Sequence, residues 1–307
     1  MQLFKNIFAF TILAVFIFSC TDPIDINLKE GEKEIAVDGS IVDQSKNNLP
    51  IRSDTIRITY TNGFSNGPSP VVSNAVVVLK DNIGSVDTLD YTSNGKYITH
   101  PEKIKGVVGR IYELTIDVDG ENYKAVDYLK RTTNIDSLVS EYRKLPEFGR
   151  APGYFVNLIA KDVEGPGDLY RFKVYKNGIL YNRPSDLTIA ADAGFGLNNP
   201  IDNLRFIFPI RESLNPVTDV PDTETSGDKA PYIPGDEVKV EIYSISEPTY
   251  LFYNELFRQI SNDGLFASPA SNVHTNIFNT NPKSAKKAVG WFSASAVVSK
   301  TIVIKAK

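Results

Sequence analysis

Residues 110–129 read RIYELTIDVDGENYKAVDYL, with two runs rich in β-branched and aromatic residues on either side of Asp119-Gly120. In the first run, Ile111 and Leu114 mix with polar neighbours, which is typical of a half-buried strand. An Asp-Gly pair favours a type I′ turn, because both central residues of that turn need a positive φ. The stretch therefore predicts a β-hairpin with one buried face.

Similar runs precede this hairpin. Short segments rich in Val, Ile, Thr and Tyr, separated by Gly, Asn, Asp and Pro, predict strands at 34–42, 55–61, 75–80, 86–91 and 95–100. Asn94-Gly95 repeats the turn signal between the last two of them. So many short strands in so short a length favour a β-sandwich, and the stretch from Asn74 to Leu114 resembles Ig-like or prealbumin-like sandwiches. That likeness concerns the fold alone and implies no activity.

The second half of the chain continues the β pattern. Strands are predicted at 153–162, 169–175, 179–183, 236–246, 288–298 and 300–306. Asn177-Gly178 gives a third hairpin signal, and residues 206–210 form one more apolar run. The predicted fold class is therefore mainly β, with an N-terminal sandwich followed by a second β-rich module that contains one amphipathic helix.

The helix is predicted over residues 247–262, EPTYLFYNELFRQISN. Ser246 is suited to the N-cap position, and Asn262-Asp263-Gly264 is suited to the stop. One stripe of apolar side chains recurs at helical spacing: Tyr250, Tyr253, Leu256, Phe257 and Ile260. We expect this stripe to pack on the core rather than to line a ligand site.

A chain of 307 residues predicts two domains. The predicted division is a signal peptide at 1–19, a tether at 20–33, a sandwich domain at 34–130, a junction at 131–152 and a second domain at 153–307. Two loops stand out by composition. Residues 62–70 are rich in Gly, Asn, Ser and Pro, and the polar residues 211–234 predict a mobile loop inside the second domain.

The N-terminus reads MQLFKNIFAFTILAVFIFSC, in which Lys5 is the only charged residue. The apolar part is short for a membrane-spanning helix, and the pattern is that of a secretory signal. Its end, Ile17-Phe18-Ser19-Cys20, resembles the lipobox of bacterial lipoproteins, although Phe18 is bulky for its position. The resemblance implies that Cys20, the only thiol, is acylated, for example with palmitate, and anchors the chain in outer-membrane lipid.

Composition excludes several classes of function. With 33 basic and 37 acidic residues the net charge is −4, so no nucleic-acid partner is expected. One Cys and two His leave little material for a disulfide or a metal centre, and we expect no cofactor and no catalytic residues. His100 and His274 are expected to be surface or hydrogen-bonded residues. The acidic cluster Asp162, Glu164 and Asp168 could hold Ca²⁺, but a solvated turn is favoured.

Motifs along the whole chain resemble a family of Bacteroidota lipoproteins described as domain of unknown function 4249. The residues that carry the resemblance are 35–41, 75–79, 95–97, 235–238, 266–270, 275–277 and 290–295, where Trp291 replaces the Tyr that is frequent in the family. The resemblance implies an outer-membrane lipoprotein whose gene often lies near those of TonB-dependent receptor-like barrels. It implies no activity. Asp22 and Asp25 behind Cys20 resemble a surface-export signal, which favours the cell surface over the periplasmic face.

The sequence therefore predicts a non-enzymatic outer-membrane lipoprotein that captures a ligand or partners a TonB-dependent barrel. Phe64 and Tyr232, in the two exceptional loops, are the predicted binding residues, because binding residues concentrate on loops of a rigid scaffold. Two alternatives remain open. The chain could be a structural, adhesive or envelope-assembly lipoprotein, or a hydrolase that uses a pair of carboxylates.

Overall fold

The computed structural model describes residues 31–47, 52–63, 67–144, 152–197, 201–215, 232–261 and 272–306. The predicted signal peptide, Cys20, Phe64 and most of the polar loop 211–234 lie outside the described residues. Lys33–Lys307 forms one compact unit. No helix in the described ranges is long and apolar enough to cross a bilayer.

The described part of the chain is mainly β, as predicted, and its strands alternate buried and exposed side chains. The strands are β1 (Ile35–Asp43), β2 (Thr55–Tyr60), β3 (Val76–Asp81), β4 (Val86–Thr88), β5 (Asp90–Tyr91), β6 (Lys96–Ile98), β7 (Ile111–Val118), β8 (Glu121–Tyr128), β9 (Asn134–Arg143), β10 (Gly153–Lys161), β11 (Leu169–Lys176), β12 (Ile179–Leu180), β13 (Thr188–Ala191), β14 (Glu237–Ser244), β15 (Phe278–Asn279) and β16 (Ala288–Val303). The helical segments are a short helix (Phe208–Glu212), the amphipathic helix (Glu247–Ile260) and 3-10 turns at Ser45–Asn47 and Pro184–Asp186.

One large sheet, of nine strands, runs through both halves of the chain. Its order is β12-β11-β14-β16-β1-β2-β6-β5, with β13 paired to β11. β1 and β16 are parallel, from Ile35 opposite Ala288 to Asp43 opposite Ala296. The remaining pairs in this sheet are antiparallel. The last strand of the chain therefore joins β14 to the first strand.

Two large hydrophobic cores lie against this sheet, and a small third cluster contains Leu169, Ala191, Ile245 and Tyr250. A five-stranded sheet, in the order β15-β8-β7-β3-β4, encloses the first core with β1, β2 and β16, so this part is a β-sandwich. Ile41, Ile58, Leu114 and Phe292 are fully buried there. The antiparallel pair β9–β10 and the short helix contribute to the second core, which contains residues of β11 and β14.

The large sheet contains strands from both predicted domains. β16 belongs to the predicted second domain, yet it pairs with β1 and contributes Phe292 to the sandwich core. The predicted junction at 131–152 contains β9, which pairs with β10. The two predicted closing strands are one continuous strand, and the apolar run 206–210 leads into the short helix. Pairing between distant segments decides which sheet a strand joins and how long the strand is, and local sequence patterns contain no information about that pairing.

Turns and the helix cap agree with the local sequence signals. The three predicted turn residues Asn94, Asp119 and Asn177 have φ values of 53°, 51° and 51°, and each is followed by a glycine with positive φ. The amphipathic helix begins at Glu247, and the Ser246 side chain accepts a hydrogen bond from the Thr249 N–H as its N-cap. Ends of strands and helices depend on a few neighbouring residues, so short sequence patterns predict them well.

Asp54, immediately before β2, gives the fold a pH dependence. Its side chain is buried, and burial raises the pKa of its carboxyl to about 7, against the contribution of the Val42 backbone N–H. A raised pKa in the folded state means that ionisation opposes folding. The free energy of unfolding should therefore fall as the pH rises from about 4, near the unfolded pKa, to about 7, and then level off.

We expect Asp54→Asn to remove this dependence, because asparagine keeps an acceptor oxygen and does not ionise. At pH 8 the variant should be more stable than the wild type by roughly 2–4 kcal/mol. Urea unfolding at pH 5 and pH 8 measures the difference. Asp136→Asn, at an exposed position of β9, is the matched control and should leave the pH dependence unchanged. A wild type equally stable at both pH values would contradict the prediction.

Candidate functional site

A cleft of about 290 Å³ lies between the amphipathic helix and the outer face of the large sheet. Four neighbouring strands, β1, β16, β14 and β11, form its floor, and the helix forms one wall. Because side chains alternate across a strand, each strand sends every second residue to this face. The cleft is therefore built by both halves of the chain.

The floor between β1 and β16 carries hydroxyl groups. The parallel register places Ser40 opposite Ser293, and Asp38 opposite Trp291. Ser295 follows two residues after Ser293 and faces the same side. Three serine hydroxyls thus line a continuous strip, and Asp38 is exposed beside them. Hydroxyls both donate and accept, so this strip can bond polar groups of either kind.

The wall is aromatic and is fixed to the sheet by Trp291. Its ring stacks on Phe252 of the helix, with centroids 4.6 Å apart and planes inclined by 20°. Its indole N–H donates to the Thr249 hydroxyl at 2.9 Å. That hydroxyl donates in turn to the buried carboxylate of Asp127 at 3.2 Å. The first turn of the helix is therefore held in place from two sides.

Two cations of β11, Arg171 and Lys173, point into the cleft. The guanidinium of Arg171 donates to the Tyr253 hydroxyl, and its carbon lies 4.2 Å from the centre of that ring. The Arg171 Nε is buried and has no hydrogen-bond partner within the described ranges. Buried polar groups are normally bonded, so an unbonded one in a cleft marks a place where a ligand can supply the partner.

Lys173 also lacks a carboxylate partner among the described residues. Its ammonium lies 4.5 Å from the centre of the Tyr243 ring. Burial, followed by the charge of Arg171, lowers the pKa of Lys173 to about 8. The nearby carboxylate of Glu241 already accepts hydrogen bonds from Lys239, Tyr243 and Tyr175. Among the residues that line the cleft, Asp38 supplies the one carboxylate, so the two cations Arg171 and Lys173 outnumber it.

A second cleft of about 250 Å³ continues along the helix and shares Arg171, Lys173 and Leu256 with the first. Its cation Arg183 is already paired, since its guanidinium donates to both carboxylate oxygens of Asp186 at 3.1 Å. The unbalanced positive charge of the two clefts therefore lies in the part that they share. Such a site can bind an anion, because low local polarity strengthens the attraction between charges.

The amphipathic helix corrects an expectation. Its apolar stripe was predicted to pack on the core, but only Tyr250 is buried, while Phe257 and Ile260 are each 41% exposed. Tyr253 packs against the small cluster around Tyr250 and also lines the cleft, together with Leu256. A helix that lies on a polar sheet face cannot bury a full stripe.

The predicted histidine positions are hydrogen-bonded, as expected. The ring nitrogens of His100 lie 2.9 Å from Asp87 and 3.1 Å from Asp90. The Nδ1 atom of His274 lies 2.8 Å from Glu255. Neither residue lines the cleft.

The predicted acidic turn is more buried than expected. Asp162 and Asp168 are buried together with Asp192, with ligand-type oxygens within 4.8 Å of one another. The expectation of a solvated turn is therefore wrong for these two aspartates, whereas Glu164 is exposed. Protein groups satisfy the three carboxylates: Arg131 donates to Asp168 at 2.7 Å, the Tyr170 hydroxyl to Asp162 at 2.6 Å, and two backbone N–H groups to Asp192. The cluster therefore closes a turn of the fold.

Of the two predicted binding residues, Tyr232 lies among the described residues, and it does not line the cleft. Phe64 and the lipidation residue Cys20 lie outside the described residues. Tyr232, predicted to project from a loop, is fully buried in the second core, where its hydroxyl donates to the Leu214 carbonyl at 2.6 Å. Its ring fills space between strands, so it has a packing role. Its place in a polar segment hid that role in the sequence.

Arg171 and Lys173 were missed because they lie within a strand. The run LYRFKVY alternates apolar residues with Arg171, Lys173 and Tyr175, a pattern that is ordinary for the polar face of a strand. A signal did exist. Cations separated by an aromatic residue, on a strand next to a helix with aromatic residues, can form a cationic and aromatic surface.

Comparison with known proteins assigns the chain to a family. The pattern of a family described as Domain of unknown function (DUF4249) matches residues 21–301. Curated proteins give no significant match. The matched range includes every residue that lines the cleft. The chain therefore belongs to the DUF4249 family, a domain of unknown function.

Proposed function

We propose that the protein is a non-enzymatic, lipid-anchored outer-membrane lipoprotein that captures a small ligand for a TonB-dependent barrel. The observation that carries the capture function is the cleft, in which Arg171 and Lys173 lack carboxylate partners within the described ranges. Ligand sites are typically concave, partly aromatic and supplied with a few polar groups, and this cleft has all three properties. Its floor is a sheet, so the polar groups are held rigidly.

The proposed location follows from the first twenty residues. A charged start, a short apolar segment and a lipobox-like end at Cys20 match the signal of a bacterial lipoprotein. Asp22 and Asp25 favour the cell surface, and the family resemblance favours a Bacteroidota source. Several acyl chains on one cysteine would hold the protein stably, whereas a single chain binds membranes only marginally.

Lipidation is tested at Cys20, the only cysteine of the chain. We expect Cys20→Ser to abolish incorporation of labelled palmitate and to release the protein from the outer-membrane fraction. Labelling followed by membrane fractionation measures both effects. Ser19→Ala, which keeps a small residue before the cysteine, is the control and should still be labelled. Palmitate incorporation in Cys20→Ser would contradict the proposal.

The barrel partner is tested by purification from outer membranes. The tagged protein is extracted in mild detergent, and its partners are identified by mass spectrometry. A TonB-dependent barrel in stoichiometric amount is the expected result. Recovery of the protein alone, or with cell-wall material, would overturn the partnership and favour the structural or adhesive alternative.

A further inference from the structure

We propose that the cleft binds a small hydroxy-carboxylate of about monosaccharide size, with its carboxylate between Arg171 and Lys173 and its hydroxyls on the serine strip. The inference rests on the proposed capture function and adds the chemical class of the ligand. We expect the cleft to bind such carboxylates more tightly than neutral sugars or inorganic phosphate.

The charge of the ligand follows from the two cations. Arg171 has a buried Nε without a hydrogen-bond partner in the described ranges, and the Lys173 ammonium lies 4.5 Å from the centre of the Tyr243 ring and forms no ion pair with a described carboxylate. Both lie on the same face of β11, two residues apart. Keeping two cations close together in a partly buried cleft is unfavourable unless an anion joins them. A single carboxylate offers two oxygens, one for each cation.

The size and the hydroxyl groups follow from the rest of the cleft. A volume of about 290 Å³ is at the small end of the range for ligand pockets. Ser40, Ser293 and Ser295 present hydroxyls along one side, where the hydroxyls of a sugar acid can bond. Phe252, Tyr253 and Leu256 of the helix present apolar surface along the other side, where the carbon skeleton can pack.

The pH dependence of binding is a separate consequence. Lys173 must be charged to hold a carboxylate, and its pKa in the free protein is about 8. Affinity should therefore be steady from pH 6 to 7 and fall up to about tenfold per pH unit above 8. Other titratable groups around Lys173 are Arg171, Tyr175, Lys239, Glu241, Tyr243, Asp38 and Tyr253, and on the side of the second cleft Tyr181, Arg183 and Asp186.

Isothermal titration calorimetry of the full chain in detergent tests the inference, with D-glucuronate, D-glucose and inorganic phosphate as probes. We expect glucuronate to bind at least about tenfold more tightly than glucose, because charge-assisted hydrogen bonds are the stronger ones. We expect a similar margin over phosphate, because phosphate has no carbon skeleton to pack on the wall and cannot reach the serine strip as well as both cations. Lys173→Met should weaken glucuronate binding about tenfold or more. Lys173→Arg keeps the charge and should retain most of the affinity.

Control variants show whether a loss of affinity comes from the cleft itself or from a general loss of folding. Lys96→Met removes an exposed cation of the same large sheet outside the cleft and should leave the affinity unchanged. Lys173→Met removes a poorly solvated charge, so it should fold, and thermal unfolding checks this. Glucose binding as tightly as glucuronate, phosphate binding more tightly than glucuronate, or no glucuronate binding would each overturn the inference. The barrel purification is independent of these outcomes, so failure of the ligand class is distinguishable from failure of the proposed function.

Discussion

Gly290→Ala should lower the free energy of unfolding by about 4 kcal/mol or more, among the largest effects expected from a single substitution. Gly290 lies in β16 opposite Val37 and has a φ of +94°. A Cβ atom at this position would lie 2.0 Å from the Val37 carbonyl oxygen, and 2.9 Å and 3.0 Å from other backbone atoms of the same residue. Backbone cannot move aside as a side-chain tip can, so β16 would have to separate from β1.

The cost of the Gly290 substitution has two parts, the left-handed backbone conformation and the contact with the Val37 backbone. Gly109→Ala measures the first part alone. Gly109 has a φ of +89°, but beyond its chain neighbours no atom of the described residues lies within 4 Å of where a Cβ would be. Its variant should lose only the roughly 1–2 kcal/mol of a left-handed alanine. Urea unfolding of both variants, followed by circular dichroism, gives the difference. Equal losses would mean that the close approach of β1 and β16 adds nothing to the cost of the Gly290 substitution.

Features that depend on residues close together in the sequence were predicted correctly, whereas features that depend on contacts between distant segments were not. Asn94, Asp119 and Asn177 were placed in turns correctly, and Ser246 was placed correctly as a helix cap, because each depends on a few neighbouring residues. The mainly β class was also predicted, from the density of short apolar runs. These features depend on local composition.

The pairing of β1 with β16 could not be predicted in the same way. It joins segments about 250 residues apart, and either strand, read alone, fits a sheet of its own domain. The full length of β9, inside the predicted junction, could not be predicted for the same reason, since this strand is polar on one face and gains its place by pairing with β10. The cleft depends on these long-range pairings, so Arg171 and Lys173 could not be located together with Ser40 and Ser293 from patterns alone.

Trp291→Ala is the other substitution with a large expected effect. Trp291 is 9% exposed and is the only tryptophan. Removing its ring ends the stack on Phe252 and leaves the Thr249 hydroxyl without the indole donor. Replacing a buried Trp by Ala typically lowers the free energy of unfolding by about 3–5 kcal/mol. The amphipathic helix should also loosen from the sheet, since this contact and the Asp127 bond fix its first turn.

Two further variants separate packing from hydrogen bonding at Trp291. Trp291→Phe keeps a ring to stack on Phe252 and loses only the indole N–H, so we expect a smaller loss of about 1–2 kcal/mol. Phe278→Ala, which truncates a ring that is 55% exposed, is the control and should stay within about 1 kcal/mol of the wild type. Urea unfolding followed by far-ultraviolet circular dichroism suits all three, because it does not depend on tryptophan fluorescence. If Trp291→Ala lost no more stability than Phe278→Ala, the helix would be held mainly by its other contacts. The aromatic wall of the cleft would then not depend on the tryptophan.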